Sequence, residues 1–397
     1  MEGREGIAKV DFPTLALKKK TASAFVRALE ELDGFLVVGH RNPDEDCVAS
    51  MVAFGLLAGK LSKNVYLHFG AKPHGQFDYL LKICTFNSIA VLGADDPIPG
   101  RVAAVVAMDT PKPDMLDLGP TALRALEEES PLRMEIDHHL GADSSHFGDE
   151  GYRLVASASS ASELVGYLAL KMDEDDELKA RWAIPDFMSR NLVLAVLTGI
   201  IGDSRMGKYL KTRRERWFYE RFSGLFDRLL AQKTLKGSGN FTSKEQVFDA
   251  LASLSSEEEE CFAAMMARRA GSRSLRYATL DAAEVARLRA AYGDETMTAV
   301  AKAVSDALAE EGGMLGMLAY PDHPEVSDLV QFRLRRSQSY RGLDLREVLS
   351  RLDIKNGGGH PGAVGFRFPR SEIADLPAYA AGLASRIEAL AREAGEG

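Results

Sequence analysis

Phe35-Leu36-Val37-Val38-Gly39-His40-Arg41-Asn42-Pro43-Asp44-Glu45-Asp46 is an apolar, β-branched run that breaks abruptly into glycine, histidine and carboxylates. Such a run reads as a strand buried on both faces, and Gly39 and Pro43 end it in a stiffened turn. The same grammar recurs twice. Ala104-Val105-Val106-Ala107-Met108 runs into Asp109, and Met134-Glu135-Ile136 runs into Asp137-His138-His139. A helix-patterned stretch at 21–32, further short strands at 65–69 and 89–92, and helical patterns in between spell out βαβ units, so the fold class is α/β with a largely parallel sheet. In open sheets of this kind ligands bind at the carboxyl ends of the strands, which sends the three polar tips to one crevice.

Downstream, helices are expected at 160–171, at 191–201 ending at Gly202-Asp203, and at 213–232. The small polar segment Lys236-Gly237-Ser238-Gly239-Asn240 reads as a loop, and the acidic run Glu257-Glu258-Glu259-Glu260 as the start of a solvated helix. The tail restarts an alternating pattern, with strands at 275–280, 314–320 and 329–334 and a long helix at 295–311. The expected organisation is a catalytic domain at 1–235, a helical linker at 236–274 and a smaller α/β domain at 275–397.

Composition narrows the function classes. The 397 residues carry 49 Lys+Arg against 58 Asp+Glu, a net charge of -9, which argues against coating long nucleic acid by charge and leaves short substrates open. Cys47, Cys84 and Cys261 contain no C-x-x-C pair, so neither a zinc cluster nor a disulfide framework is expected, and a reducing cytoplasm is the default. No apolar leader follows Met1, and the longest apolar run, 192–201, is half of the roughly 20 residues a span needs, so a soluble protein without a membrane partner is expected.

His40, Asp44 and Asp46 place three ligand-type side chains on one turn, a donor set that suits manganese better than zinc. A turn whose Asp44 or Asp46 caps the next helix would look the same. Asp109 alone reads as a cap or turn residue, and so does Asp203. Adjacent His138 and His139 project in different directions, so one can face a metal and the other a substrate. The joint pattern weighs more than its parts: five acids and three histidines fall at the ends of expected elements. Asp44, Asp46, Asp109 and Asp203 supply four negative charges, enough for two divalent cations about 3.5 to 4 Å apart that would clamp an in-line displacement at phosphorus. Near the C-terminus, Gly357-Gly358-Gly359-His360 allows close backbone approach to an anion, and strand alternation puts Arg333 and Arg335 on one face. A flexible hairpin and a solvated edge strand are the plainer alternatives. His68, His74, His146 and His323 lack comparable context and receive no role.

In this order the motifs resemble the DHH phosphoesterase superfamily, in the branch with a C-terminal glycine-rich GGGH domain, over about residues 37–368. The resemblance implies that His40, Asp44 and Asp109 hold one manganese and that Asp46, Asp109, His138 and Asp203 hold another, with Asp109 bridging. It implies that His139 donates to the scissile phosphate, that Asp137 orients its neighbours, and that Arg333, Gly357, Gly358, Gly359 and His360 form a substrate surface across an interdomain cleft. Magnesium is the alternative cation. Glu45, Cys47, Ala49 and Ser204 depart from the usual pattern, as does Gly362-Ala363-Val364-Gly365, and none of them removes a ligand.

Size and layout are most similar to the nano-RNases that also dephosphorylate 3′-phosphoadenosine 5′-phosphate (pAp). The expectation is therefore a manganese-dependent phosphodiesterase cutting short oligoribonucleotides or linear dinucleotides to mononucleotides, with pAp phosphatase activity beside it and no long-duplex binding. A cyclic-dinucleotide phosphodiesterase or an exopolyphosphatase would use the same centre, and a non-catalytic nucleotide- or RNA-binding regulator is the alternative of another class. A homodimer is compatible with each.

Overall fold

The protein is described from a computed structural model covering residues 7–395 apart from 234–240, 242, 253, 255, 325, 326 and 338. The loop expected at 236–240 lies outside the described residues. The chain divides into two compact units, Met1–Leu251 and Ala252–Gly397.

The first unit runs α1 (Leu15–Glu31), β1 (Phe35–Val38), α2 (Glu45–Lys60), β2 (Val65–His68), α3 (Asp78–Phe86), β3 (Ala90–Leu92), β4 (Ala104–Met108), α4 (Pro120–Glu128), β5 (Leu132–Asp137), β6 (Arg153–Val155), α5 (Ala161–Asp173), α6 (Asp176–Trp182), α7 (Arg190–Ser204), α8 (Arg213–Lys233) and α9 (Lys244–Ala252). Its sheet is parallel throughout, in the order β3-β2-β1-β4-β5-β6. The order reverses between β1 and β4, and such a switch point opens a crevice at the carboxyl ends of the two strands. Both faces are covered, as the uninterrupted apolar strands require. Phe35 and Val37 face the larger core with α2, α5 and α7, while Leu36 and Val38 face a smaller one with Ala122, Ala125 and Leu126 of α4.

Local chemistry explains where boundaries moved from their expected places. Helix α1 starts earlier because Thr14 Oγ1 accepts from Leu17 N and caps it. Strand β6, only three residues at the sheet edge, gives no periodic signal. Helix α7 continues through Ser204, so Asp203 lies in its last turn and not beyond its end; Ser204 Oγ donates to Ile200 O, and Arg205 at φ 48 terminates the helix. Residues 192–201 of α7 are buried all round, which accounts for their unbroken apolarity. Among the described residues no helix is long and apolar enough to cross a membrane.

The second unit contains α10 (Ser256–Met266), β7 (Arg269–Gly271), β8 (Leu275–Thr279), α11 (Ala282–Gly312), β9 (Leu315–Pro321), β10 (Leu329–Arg336), α12 (Leu345–Arg351), β11 (Gly357–His360), β12 (Ala363–Pro369) and α13 (Leu376–Gly395). Its sheet order is β11-β12-β10-β9-β8-β7, antiparallel except where β8 meets β9. Helix α11 opens 13 residues before the expected 295, behind an Asp281–Glu284 capping box, and kinks at Gly293, where φ is 81. The acidic run of α10 is only partly solvated, since Glu258 is buried and Cys261 and Met265 pack in one core with Val285 and Leu288 of α11. The glycine run is an edge strand paired with β12, and not a hairpin loop.

Candidate metal centre

Four elements of the first unit deliver side chains to one small volume. His40 follows β1, Asp109 follows β4, His138 and His139 follow β5, and Asp203 comes from the last turn of α7. Asp109 turns inward on a left-handed backbone, φ 48, a conformation aspartate tolerates better than most residues. Asp44 is the N-cap of α2, its Oδ1 accepting from the N–H groups of Asp46 and Cys47 at 3.2 Å. The capping role and a place near His40 therefore coexist.

Asp109 lies between two groups of donors. Its Oδ2 is 3.8 Å from His40 Nε2, which is also 3.9 Å from Asp44 Oδ1. Its Oδ1 is 3.3 Å from His138 Nε2, which in turn stands 3.3 Å from Asp203 Oδ2 and 3.9 Å from Asp46 Oδ2. Backbone carbonyls set both histidines: His40 Nδ1 donates to Arg41 O at 2.9 Å and His138 Nδ1 to Ala158 O at 3.3 Å. A carbonyl only accepts, so each ring directs Nε2 at carboxylates, the outer-shell arrangement that orients metal-binding imidazoles.

The charge balance also suits a divalent cation. Burial and the negative charge of Asp109 push the Asp46 carboxyl up to about 8. Burial, then the charge of Asp46, raises Asp203 well above the ordinary carboxylate range. Burial opposes a charged His138, yet Asp109, Asp203 and Asp46 outweigh it and raise the imidazole well above its usual value. Buried carboxylates this close repel one another until protons or cations intervene. Donors about 2.1 Å from one octahedral ion lie about 3 Å apart, so the observed spacings need only slight contraction around an ion.

Asp46 is held from behind. Its Oδ2 accepts from Ala161 N at 2.5 Å and its Oδ1 from Ser162 N at 2.9 Å, both at the start of α5. Gly199 of α7 is what lets this happen, since an added Cβ would stand 2.0 Å from Ser162 Oγ and 2.4 Å from Asp46 Oδ1. Asp137 Oδ1 accepts from the backbone N–H groups of His138 and His139 and from His139 Nδ1 at 2.8 Å. Burial opposes its charge, but His139 and then Lys9 outweigh that and hold it well below the usual carboxylate range. The His138 and His139 rings pack edge-on with centroids 4.6 Å apart, and His139 Nδ1 lies 3.5 Å from the Asp109 Oδ1 that His138 also faces, so both rings border Asp109.

One further side chain reaches the site. His40, Cys47 and Asp109 offer ligand atoms that all lie within 4.8 Å of one another. Burial pushes the Cys47 thiol up to about 11. Its position three residues past the Asp44 cap was a signal, but a lone cysteine in a helix reads as core. Ser204, by contrast, serves the turn, accepting from Gly207 N at 2.9 Å.

Residues 34–200 match the model of the DHH family, N-terminal domain. The matched segment contains every candidate metal ligand named above except Asp203, which lies just beyond it. No curated protein matches the chain. Among solved structures, an exopolyphosphatase-related protein from Bacteroides fragilis is 15% identical, with 94% of this chain and 98% of that chain covered and a TM-score of 0.58. RecJ in complex with Mn2+ from Thermus thermophilus is 15% identical, over 97% of this chain and 56% of that one, at a TM-score of 0.41. The pGpG-specific phosphodiesterase PggH from Vibrio cholerae is 13% identical, over 90% and 99%, at 0.34. Of these three, the first alone is close enough in backbone to bear on the fold.

Within the second unit, β10, β12 and β11 bring Arg333, Gly365 and Gly358 into one cross-strand row. An added Cβ at Gly358 would meet nothing within 4 Å, and at Gly365 its nearest neighbour would be 4.0 Å away, so the sheet beside Arg333 is bare backbone. Arg333 Nε donates to Tyr320 Oη at 3.3 Å. Gly357 and Gly359 flank the row in β11, and the backbone of His360 pairs with Ala363.

Proposed function

We propose that this protein is a manganese-dependent phosphodiesterase that hydrolyses short oligoribonucleotides or linear dinucleotides to mononucleotides, with pAp phosphatase activity beside it. Phosphoester hydrolysis is the chemistry of the DHH family, and the observation that carries the reading is Asp109, whose two oxygens face two separate histidine-carboxylate groups. His40, Asp44 and Asp109 would hold one divalent cation, and Asp46, Asp109, His138 and Asp203 the other. When bound, such ions supply Lewis acidity and an activated water for in-line attack at phosphorus.

The chain's own residues supply the remaining steps. Asp137 accepts a hydrogen bond from His139 Nδ1–H and fixes the ring, which in its imidazolium form would also carry a proton on Nε2 and donate a hydrogen bond to a non-bridging oxygen of the scissile phosphate as charge builds there. The bare glycine row beside Arg333 supports an anion site in the second unit, with the guanidinium as donor. A net charge of -9 disfavours long strands and leaves two-to-five-nucleotide substrates as the best match.

The deciding assay incubates manganese-loaded protein with 5′-labelled di-, penta- and 20-nucleotide RNA, pAp, a cyclic dinucleotide and polyphosphate. Rapid loss of the dinucleotide with the 20-mer nearly intact, and none with Asp109→Ala, is the expected result. Turnover of only the cyclic compound, or of polyphosphate alone, would reassign the substrate. No turnover of any would favour a binding regulator.

A further inference from the structure

Lys9 is fully buried, at 0% exposure, beneath the strand tips that carry the centre. Its Nζ lies 2.6 Å from Glu135 Oε1, 2.6 Å from Asp137 Oδ2 and 2.6 Å from Thr110 O. An ammonium has three donors, and all three are used. The backbone around it is fixed too: Gly141 N donates to Lys9 O at 3.0 Å and Lys9 N to Ser144 Oγ at 3.2 Å. The segment thus lies along the loop that follows His139.

We propose that Lys9 is a positioning residue that locks the rotation of the Asp137 carboxylate and, through it, the tautomer and orientation of His139. The two oxygens of Asp137 divide the work. Lys9 takes Oδ2, which leaves Oδ1 facing the three N–H groups of His138 and His139. The third contact, to Thr110 O, ties the same ammonium to the residue after Asp109, so one cation joins the tips of β4 and β5. Glu135 is the counter-ion that balances the pair; its other oxygen accepts from His146 Nδ1 at 2.9 Å. Simple charge neutralisation would need only one carboxylate, whereas contact with both carboxylates and a neighbouring carbonyl fixes a direction.

This inference rests on the proposed hydrolysis for its kinetic consequence but not for its structural one, and the two are tested separately. Imidazole 15N NMR on the full chain reads the His139 tautomer directly. In wild type, with the ring neutral, the proton is expected on Nδ1; a proton on Nε2 overturns the proposal without any variant. Lys9→Met leaves two buried carboxylates uncompensated and can lose its fold, so the informative protein is Lys9→Met/Glu135→Gln, whose buried net charge equals that of wild type. There the His139 resonance is expected to lose its Nδ1–H signature. Its kcat on bis-p-nitrophenyl phosphate with manganese should fall about 10- to 100-fold, while KM and manganese binding change by about two-fold or less. Glu135→Gln alone should keep both the signature and kcat. A double variant with wild-type NMR and wild-type kcat overturns the positioning role. If wild type turns over no phosphoester but the NMR signature still depends on Lys9, the positioning role stands and the proposed function falls.

Discussion

Gly199→Ala tests the packing that holds Asp46 in place. The new methyl would lie 2.0 Å from Ser162 Oγ and 2.4 Å from Asp46 Oδ1, more than 1 Å inside ordinary contact, and both residues are fully buried. Both sit at the N-terminus of α5, and Asp46 is tethered to it by two backbone hydrogen bonds. Overpacking at such a site costs about 3 kcal/mol, the upper end of the usual range, and the better helix propensity of alanine returns about 1. The net loss of about 2 kcal/mol lowers the Tm by about 4 to 8 °C. A carboxylate displaced by about 1 Å should cost about 100-fold in turnover and weaken manganese binding. Calorimetry of the chelated protein, a manganese titration and the dinucleotide assay read the three effects. Adding Ser162→Ala should recover part of the Tm, because the closest of the three clashes disappears, but not metal affinity, because those with Asp46 Oδ1 and with the residue-162 Cβ at 2.6 Å remain. A Gly199→Ala protein with wild-type Tm and wild-type manganese affinity would refute the reasoning.

Metal-free protein should lose stability as pH rises from about 4 to about 8, because folded Asp46 and Asp203 keep protons that the unfolded chain releases, so the folded state binds more protons over that window. His138 acts in the same direction, its share being complete below about 6.5 and lost as pH climbs through its raised value. Manganese should flatten the slope, and melting curves with chelator or manganese across this range check the sign; a chelated Tm that rises from pH 5 to 8 would contradict it. Cys47→Ala should leave manganese affinity within about two-fold and lower zinc affinity, since only the softer ion gains from a thiolate, and competition titrations measure the ratio. Arg333→Met should raise KM for 5′-phosphorylated dinucleotide about 10-fold with kcat held, the pattern of lost uniform binding, and steady-state kinetics with and without the terminal phosphate separate the two.

The parallel sheet of the first unit could be read ahead of the structure because its central strands are continuous apolar runs that stop at glycine, histidine or aspartate, as at Val38-Gly39-His40 and Met108-Asp109. Short edge elements gave no such signal. Strand β6 has three residues, and β11 is mostly glycine, a composition that argues for a loop until β12 pairs with it. Asp203 looked like turn punctuation after an apolar helix, yet a serine hydroxyl and a left-handed arginine carry the helix past it.

Sequence by itself determined the residue types available at the strand tips, because burial on both faces of a parallel sheet forces apolar strands and leaves polar groups only where strands end. Lys9 was beyond its reach, and Cys47 was legible only as a departure from the motif, not as a neighbour of His40 and Asp109. Lys9 meets Thr110 and Asp137 across more than 100 residues, and nothing periodic surrounds it; Cys47 is one apolar-looking residue in a buried helix. Tertiary structure alone decided which carboxylates come together in one small volume, which nitrogen each histidine turns toward them, and which buried lysine braces the loop, since these depend on distances that local propensity does not encode.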